Sequence, residues 1–362
     1  MADEAFAREV WDPVLERLHL ELTNICNFKC EFCPDGIMVR RRGHMHLDLL
    51  TRILDELAAT PLTKILAFHL MGEPLIHPQI MTAIDLALER HLKLHLTTNG
   101  STFALRPQHI PQLLERPLPK LTISLQTPDP VTFQIRGAPP HLSAEAYFTG
   151  IRDFISAHAA SGSPTRIHLK FLDTSPHAFL VPHKALTIAQ NRPAMQAHLR
   201  HWINQLCPHH PHPEAICNRY QPGRWQLLPL TPRLVLEIFP LDSWGNVTAQ
   251  QVYPATWGTC NGASRQAGIL YDGTVVPCCK DYEGNIPLGS LTTHSLAEIL
   301  QAAPACRLRQ DFSRFQVNNP VCQQCLGADT PTKALLRQAG SLVYFHLYRP
   351  WQQWRDPRWG EI

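Results

Sequence analysis

Cys26, Cys30 and Cys33 stand in the order C-x3-C-x2-C, with an aromatic, Phe32, directly before the last of them. Three thiolates suit a cluster of four irons: they hold three and leave the fourth with an open position, where a small molecule can bind and be activated. A structural metal site closes all its positions instead. Soft thiolates select iron–sulfur clusters or zinc. Zinc here would need completion by a histidine such as His44 or His46, and zinc sites more often pair C-x2-C with a distant second pair. A second thiol set lies late in the chain. GILYDGTVVPCC reads as a β-hairpin turning at Asp272–Gly273, and Cys322-x2-Cys325 closes the unit. Cys260, Cys278, Cys322 and Cys325 make a complete thiolate set, suited to tetrahedral zinc or a fully ligated [4Fe–4S] cluster, and their spacing alone does not choose. Cys279 is expected as a packed neighbouring thiol, with an exchange of roles with Cys278 as the alternative, and Cys306 as a small buried hydrophobe.

Composition bounds the rest. The chain has 362 residues, enough for two domains, and 44% of them are apolar, enough for a sizeable core. Its 33 basic and 30 acidic residues leave a net charge of +3, which argues for neither nucleic acid nor a membrane surface. No apolar stretch approaches the ~18 residues of a membrane span, and MADEAFAREV has no apolar signal region; the expected location is cytoplasmic. In such a reducing compartment the 11 cysteines are expected as metal ligands rather than disulfides. The run Arg40, Arg41, Arg42 is expected to be solvated or to sit on a phosphate or carboxylate. Cys207, Cys217, His209, His210 and His212 match no tight ligand spacing and read as part of a linker.

The elements that must position these residues alternate. Runs 15–22, 64–71, 92–98, 120–125, 166–173 and 233–239 read as strands; 47–59, 80–90 and 143–160 have helical spacing, with Ser143 as N-cap and Glu145 in the first turn. Strand–helix alternation implies a parallel sheet, either an incomplete barrel or an open sheet, with its active face at the strands' C-terminal ends. The three leading cysteines follow directly after the first strand, on that face. Residues 174–232 break the rhythm and read as a Pro/His-rich insertion with one helix near 194–206. A Cys-rich unit runs from about 255 to 330, and the tail 331–362 carries Trp351, Trp354 and Trp359, expected to pack on the body, with a partner surface as the alternative.

TNICNFKCEFC resembles the cluster loop of the radical S-adenosylmethionine (radical SAM) superfamily. Met71, Gly72, Glu73 and Pro74 close the second strand and resemble that family's glycine–glycine–glutamate–proline motif, with Met71 in place of the first glycine. Thr97, Thr98, Asn99 and Gly100 close the third strand, and Ser124 and Gln126 the fourth. The likeness covers roughly residues 15–240, each motif at a strand end and in order. Cys260-x12-Gly273-x4-Cys278 followed by C-x2-C resembles the SPASM or twitch extensions of such proteins. No cysteine follows Cys325, so the resemblance implies one auxiliary cluster, as in the shorter twitch form.

The resemblance implies an α/β fold: a partial (β/α)6 barrel over residues 1–240, the insertion included, followed by a small Cys-rich β-hairpin plus helix domain at 255–330. It implies a [4Fe–4S] cluster on Cys26, Cys30 and Cys33, whose open iron is chelated by the amino and carboxylate groups of S-adenosylmethionine. Gly72, Glu73 and Pro74 would then meet the ammonium group; Thr98, Asn99, Ser124 and Gln126 suit the ribose or carboxylate, Phe32 the adenine, and Arg136 the carboxylate. Asp281, just after the hairpin cysteines, is a candidate base facing the substrate.

The implied reaction is reductive cleavage of S-adenosylmethionine to methionine and a 5′-deoxyadenosyl radical that removes a hydrogen from the substrate. That substrate is expected to be a ribosomally made peptide or protein residue undergoing oxidative maturation, with radical dehydrogenation of a small aminocyclitol or sugar-like alcohol as the alternative. A non-catalytic zinc-binding scaffold is the reading from another class. A third reading, a radical SAM methyltransferase, is supported by neither an extra methyl-accepting cysteine nor the length of a cobalamin domain in this sequence. An external one-electron donor such as a flavodoxin or ferredoxin is expected. The ~14 residues before the first strand leave no room for a peptide-recognition domain, so recognition of a peptide is expected to fall to a separate protein or to the barrel itself.

Overall fold

The computed structural model describes residues 14–175 and 186–355. Short apolar runs, too short for helices, pair side by side: β1 (Arg17–Leu20), β2 (Leu66–Phe68), β3 (Leu94–Thr98), β4 (Lys120–Gln126), β5 (Arg166–Asp173), β6 (Gln226–Pro229), β7 (Leu234–Pro240), β8 (Gln266–Ile269), β9 (Thr274–Val276) and β10 (Gly289–Ser290). They form one ten-stranded sheet in the order β10-β9-β8-β1-β2-β3-β4-β5-β7-β6. From β1 through β5 to β7 every neighbouring pair is parallel, which is the partial (β/α)6 barrel. The helices Leu47–Ala59, Ile80–Glu89 and Ala144–Ser161 supply three of the crossovers. The last starts where its cap says it should: the Ser143 hydroxyl accepts from Ala146 N at 3.2 Å.

The hairpin of the Cys-rich unit is part of the same sheet. β8 pairs in parallel with the outer edge of β1, from Arg17↔Gln266 to Leu20↔Ile269, and β9 and β10 extend it antiparallel. The Pro/His-rich insertion is more ordered than a linker. Its described part folds as two helices, Arg192–Leu206 and Pro213–Asn218, followed by β6, which pairs antiparallel with β7. Trp202 anchors it: the indole is buried and donates Nε1 to Pro128 O at 2.8 Å. Cys217 is buried in the same apolar cluster as Trp202.

The tail also differs from expectation. Residues Pro331–Val343 are helical, pass through a π-turn at Tyr344–Tyr348 and continue to Arg355. The helix is held by polar side chains: Gln338 Oε1 accepts from Thr256 N at 3.0 Å, and Arg349 pairs with Glu16. Its tryptophans do not pack inward; Trp351 is 48% exposed and Trp354 80%, and Trp359 lies outside the described residues.

Barrel interiors are ordinarily filled by branched aliphatic side chains. Here Lys120, His168 and Glu237 are buried together on one face of the sheet. The Glu237 carboxylate accepts from His168 Nδ1 at 2.9 Å and Trp225 Nε1 at 3.1 Å, with Lys120 Nζ at 3.8 Å and Lys170 Nζ at 3.9 Å. Burial pushes this carboxyl up, but Lys170, His168 and Lys120 outweigh it and hold the group far below the usual carboxylate range. Removing the one anion leaves buried cations uncompensated. Glu237→Gln is therefore expected to cost about 3–5 kcal/mol of stability, read as a lowered midpoint in denaturant unfolding.

Candidate functional site

The loop after β1 is fixed before its thiols are considered. Thr23 Oγ1 donates to Gly43 O at 2.9 Å and accepts from Ile25 N at 3.1 Å. The wholly buried Asn24 amide donates to Arg41 O at 2.8 Å and accepts from Gly43 N at 2.8 Å. Two arginines of the basic run sit on carboxylates. Arg40 reaches both oxygens of Glu21 at 2.8 Å, and Arg42 meets Asp35, which also takes Lys29 at 2.6 Å.

The end of β2 closes against this loop. Gly72 has φ +74°, and a Cβ there would lie 2.2 Å from Thr23 O and 2.8 Å from Ile25 O. The position needs glycine for both its conformation and its space. The next residue donates from Glu73 N to Ile25 O at 2.9 Å. The buried Glu73 carboxylate accepts from Thr98 Oγ1 at 2.6 Å, Leu75 N at 3.0 Å and Asn99 N at 2.5 Å. Burial pushes its pKa up to about 7, against those donors. Asn99 in turn donates Nδ2 to Asn27 Oδ1 at 2.9 Å and lies 3.8 Å from Cys26 Sγ, while the Tyr147 hydroxyl donates to Asn99 O at 2.8 Å.

Arg136 is 1% exposed, donates Nη1 to Gln126 Oε1 at 2.5 Å and stands over the rings of Phe28 and Phe32, 4.8 and 5.9 Å from their centroids. Its buried Nε has no partner. An orphaned guanidinium nitrogen in a cavity wall suits a carboxylate that the protein does not supply.

These groups converge. Cys26, Cys30, Cys33, Phe32, Gly72, Glu73, Thr98, Asn99, Ser124, Gln126 and Arg136 all line one cavity of about 230 Å³. Pro74 does not; it is buried at the start of the turn Pro74–Ile76 and sets the direction of the chain there. Burial pushes the Cys26 and Cys33 thiols up to about 12, so occupation of the loop by metal would displace their protons.

The same cavity continues past the motif residues to His69, Lys170, Phe239, Asp242, Trp244, Cys279 and Lys280. Burial, with His19 and Lys170 nearby, lowers His69 to about 3, so its imidazole is neutral. Lys170 Nζ lies 4.1 Å from the Phe239 ring centroid, and Lys280 pairs with Asp242 at 2.8 Å. Sequence reasoning placed Cys279 only as a packed thiol or a stand-in for Cys278, and missed most of the rest. His69, Lys170, Phe239 and Asp242 lie in or just after β2, β5 and β7 without a motif, Trp244 lies in the turn after β7, and Lys280 follows β9. The signal in His69, Lys170 and Asp242 was a charged or polar residue in or beyond an otherwise apolar strand.

Cys260, Cys278, Cys322 and Cys325 line a second cavity of about 110 Å³ with an apolar lining that includes Leu308, Phe312 and Leu326. The helix Pro320–Leu326, capped by Asn319, presents Cys322 and Cys325 to it. Among the described residues no group of three or more His, Cys, Asp or Glu side chains is placed to hold a single metal ion. In a cluster each thiolate takes its own iron, so its ligands stand wider apart. Trp244 and Lys280 line both cavities and form their common wall. Asp281 does not face the larger cavity. It is 2% exposed and its carboxylate accepts from Asn285 N at 2.9 Å and Ile286 N at 2.8 Å, closing a turn beside the second thiol set. The charged groups that do face the larger cavity there are Lys280 and Asp242.

Gly72→Ala forces a Cβ into the carbonyl of Thr23. It is expected to lower the iron retained after anaerobic reconstitution by about half, because one of two four-iron sites is disturbed. Iron analysis beside the unchanged protein checks this.

Residues 20–158 match the family model of the radical SAM superfamily, and residues 260–326 that of an iron–sulfur cluster-binding domain, SPASM. A tungsten-containing aldehyde ferredoxin oxidoreductase cofactor-modifying protein of Pyrococcus furiosus is 34% identical over 87 residues, 24% of each chain. A GTP 3′,8-cyclase of Rhodopseudomonas palustris is 30% identical over 138 residues, 35% of this chain and 38% of that one. The chain thus spans well under half the length of these curated relatives. Among solved structures, Streptococcus suis SuiB bound to precursor peptide SuiA superposes with a TM-score of 0.53 at 14% identity, covering 93% of this chain and 73% of that one. Native anSMEcpe with bound AdoMet gives 0.52 at 14% identity, over 92% and 97%. At such identities these two likenesses speak for the fold alone. No described helix is long and apolar enough to cross a membrane. The chain belongs to the radical SAM superfamily and carries a SPASM iron–sulfur cluster-binding domain.

Proposed function

We propose that this protein reductively cleaves S-adenosylmethionine and abstracts a hydrogen atom from a peptide or protein residue, as an oxidoreductase or maturase. The observation that carries the reading is the convergence of three thiols, the Gly72–Glu73 turn and the orphaned Arg136 Nε on one cavity. Cys26, Cys30 and Cys33 hold the [4Fe–4S] cluster. When bound, that cluster supplies the electron that splits the sulfonium and so generates the hydrogen-abstracting radical.

The chain's own residues position the reactants. The Gly72 carbonyl and the Glu73 carboxylate accept from the ligand's ammonium group, and a cation beside Glu73 would return its raised pKa toward the ordinary range. Arg136 Nε donates to the carboxylate. Thr98, Asn99, Ser124 and Gln126 serve the ribose, and Phe32 packs near the base. The thiols of Cys260, Cys278, Cys322 and Cys325 hold one auxiliary [4Fe–4S] cluster. The substrate occupies the half of the cavity lined by His69, Lys170, Phe239 and Trp244, whose mixed charge and aromatic surface suits a polar side chain held against a backbone. An external one-electron donor of the flavodoxin or ferredoxin class and a separate peptide-recognition protein complete the system.

Anaerobically reconstituted protein is expected to release 5′-deoxyadenosine from S-adenosylmethionine only with dithionite, and Cys30→Ala to abolish that release. Retained cleavage in Cys30→Ala overturns the assignment. The pair Cys322→Ala and Cys325→Ala is expected to lose about four irons while keeping part of the uncoupled cleavage. Peptides that raise 5′-deoxyadenosine release above the uncoupled rate, where aminocyclitols do not, support the substrate class; the reverse favours a small alcohol.

A further inference from the structure

Cys278 and Cys279 are neighbours in the chain but face different cavities. Cys278 lines the small cavity with Cys260, Cys322 and Cys325; Cys279 lines the large one. Cys279 packs against the group that includes Leu70 and Met71, the two residues leading into Gly72–Glu73, and against it packs Trp244 as well. Among the described residues it is the one cavity-lining cysteine outside the C-x3-C-x2-C set. An independent observation says that this cavity is built for a ligand: Arg136, 1% exposed, presents an unpartnered Nε in its wall. The Cys279 thiol is therefore a hydrogen-bearing sulfur inside the space where the proposed chemistry makes carbon radicals.

We propose that Cys279 is a catalytic residue, the hydrogen-atom donor that quenches carbon radicals formed in the large cavity. This rests on the proposed function. The chemistry selects sulfur. An S–H bond is weaker than an alkyl C–H bond, whereas the alcohol O–H and amide N–H bonds of the lining Thr97, Thr98, Ser124, Asn99 and Gln126 are stronger. In the step, the Cys279 S–H bond breaks homolytically, a C–H bond forms on the radical carbon, and a thiyl radical remains on Cys279. One electron from the external low-potential donor and one proton from solvent restore the thiol. Over the cycle one S-adenosylmethionine, two electrons and one proton are consumed, and the substrate loses one hydrogen atom and regains another. Its change is then redox-neutral, such as inversion of a carbon centre, which is the maturase rather than the oxidoreductase branch of the proposed function.

The test needs no substrate. Full-length protein, reconstituted anaerobically, is mixed with S-adenosylmethionine and dithionite in D₂O, where thiols carry deuterium and carbon-bound hydrogens do not. The expected result is one deuterium on the 5′ carbon of most of the 5′-deoxyadenosine. Cys279→Ala and Cys279→Ser are both expected to lose that deuterium while keeping their iron; the serine keeps size and polarity but has too strong an O–H bond. Equal deuterium in variants and wild type overturns the proposal, as does unlabelled product in the wild type. Loss of about four irons in both variants makes Cys279 a ligand in place of Cys278 and also overturns it.

A second readout needs no turnover. Without reductant, iodoacetamide should alkylate Cys279, and S-adenosylmethionine should slow this while leaving Cys306 unaffected. Unchanged labelling at Cys279 overturns its placement beside the ligand. Protein that releases no 5′-deoxyadenosine at all overturns the proposed function itself, and this inference with it, whereas normal release with unchanged labelling overturns this inference alone.

Discussion

The site depends on one backbone approach. The end of β2 passes so close to the loop after β1 that only a residue without a side chain fits at Gly72, 2.2 Å from Thr23 O for the missing Cβ. That closeness lets Glu73 N reach Ile25 O, and it aims the Glu73 carboxylate at the end of β3, where Thr98 and Asn99 donate to it. Three strand ends are thus tied through two residues. The thiols of the loop inherit their positions from this knot, as does Asn99, which touches both Asn27 and Cys26. A short loop carrying three ligands loses much conformational freedom when a cluster binds; here most of that order is present beforehand.

Charge is distributed with similar economy. The buried Glu237 binds the cations of the barrel face, Asp242 binds Lys280 at the cavity rim, and Asp35 binds Arg42 and Lys29 beside the cysteine loop. Each of these anions answers a named cation. Glu73, like the buried Asp173 and Asp281, is held by neutral donors instead. Of the three it is the one that lines the large cavity, and with its pKa raised by burial it keeps unspent attraction for a positive ligand there.

Much of this was legible in the sequence because the informative residues are local. The strand 166–173 and the helix 47–59 were bounded by their apolar periods, and both thiol sets by spacing. The ends of β1–β4 could be placed since each motif follows a strand directly. What was not legible is what only tertiary pairing creates. Nothing in GILYDGTVVP says that the hairpin lies in parallel on β1. Nothing in CCK says that the adjacent thiols diverge into separate cavities. Asp281 looked like a base because it follows the cysteines, but it lies within reach of the two backbone N–H groups of Asn285 and Ile286, a local use that competes with any distant one. Trp351 and Trp354 looked like packing residues by type alone, whereas the helix that bears them is held by the amides and hydroxyls of its other face.

The register between β1 and β8 has a consequence for the whole enzyme. The two iron–sulfur cluster-binding units are laced into one backbone ladder from Arg17↔Gln266 to Leu20↔Ile269, rather than resting on each other through side chains. A ladder can slip only by whole residues, and a slip of one residue turns every side chain to the wrong face. The separation of the two thiol sets is therefore graduated like a ruler, insensitive to surface mutation and to the small shear that loosely docked domains allow.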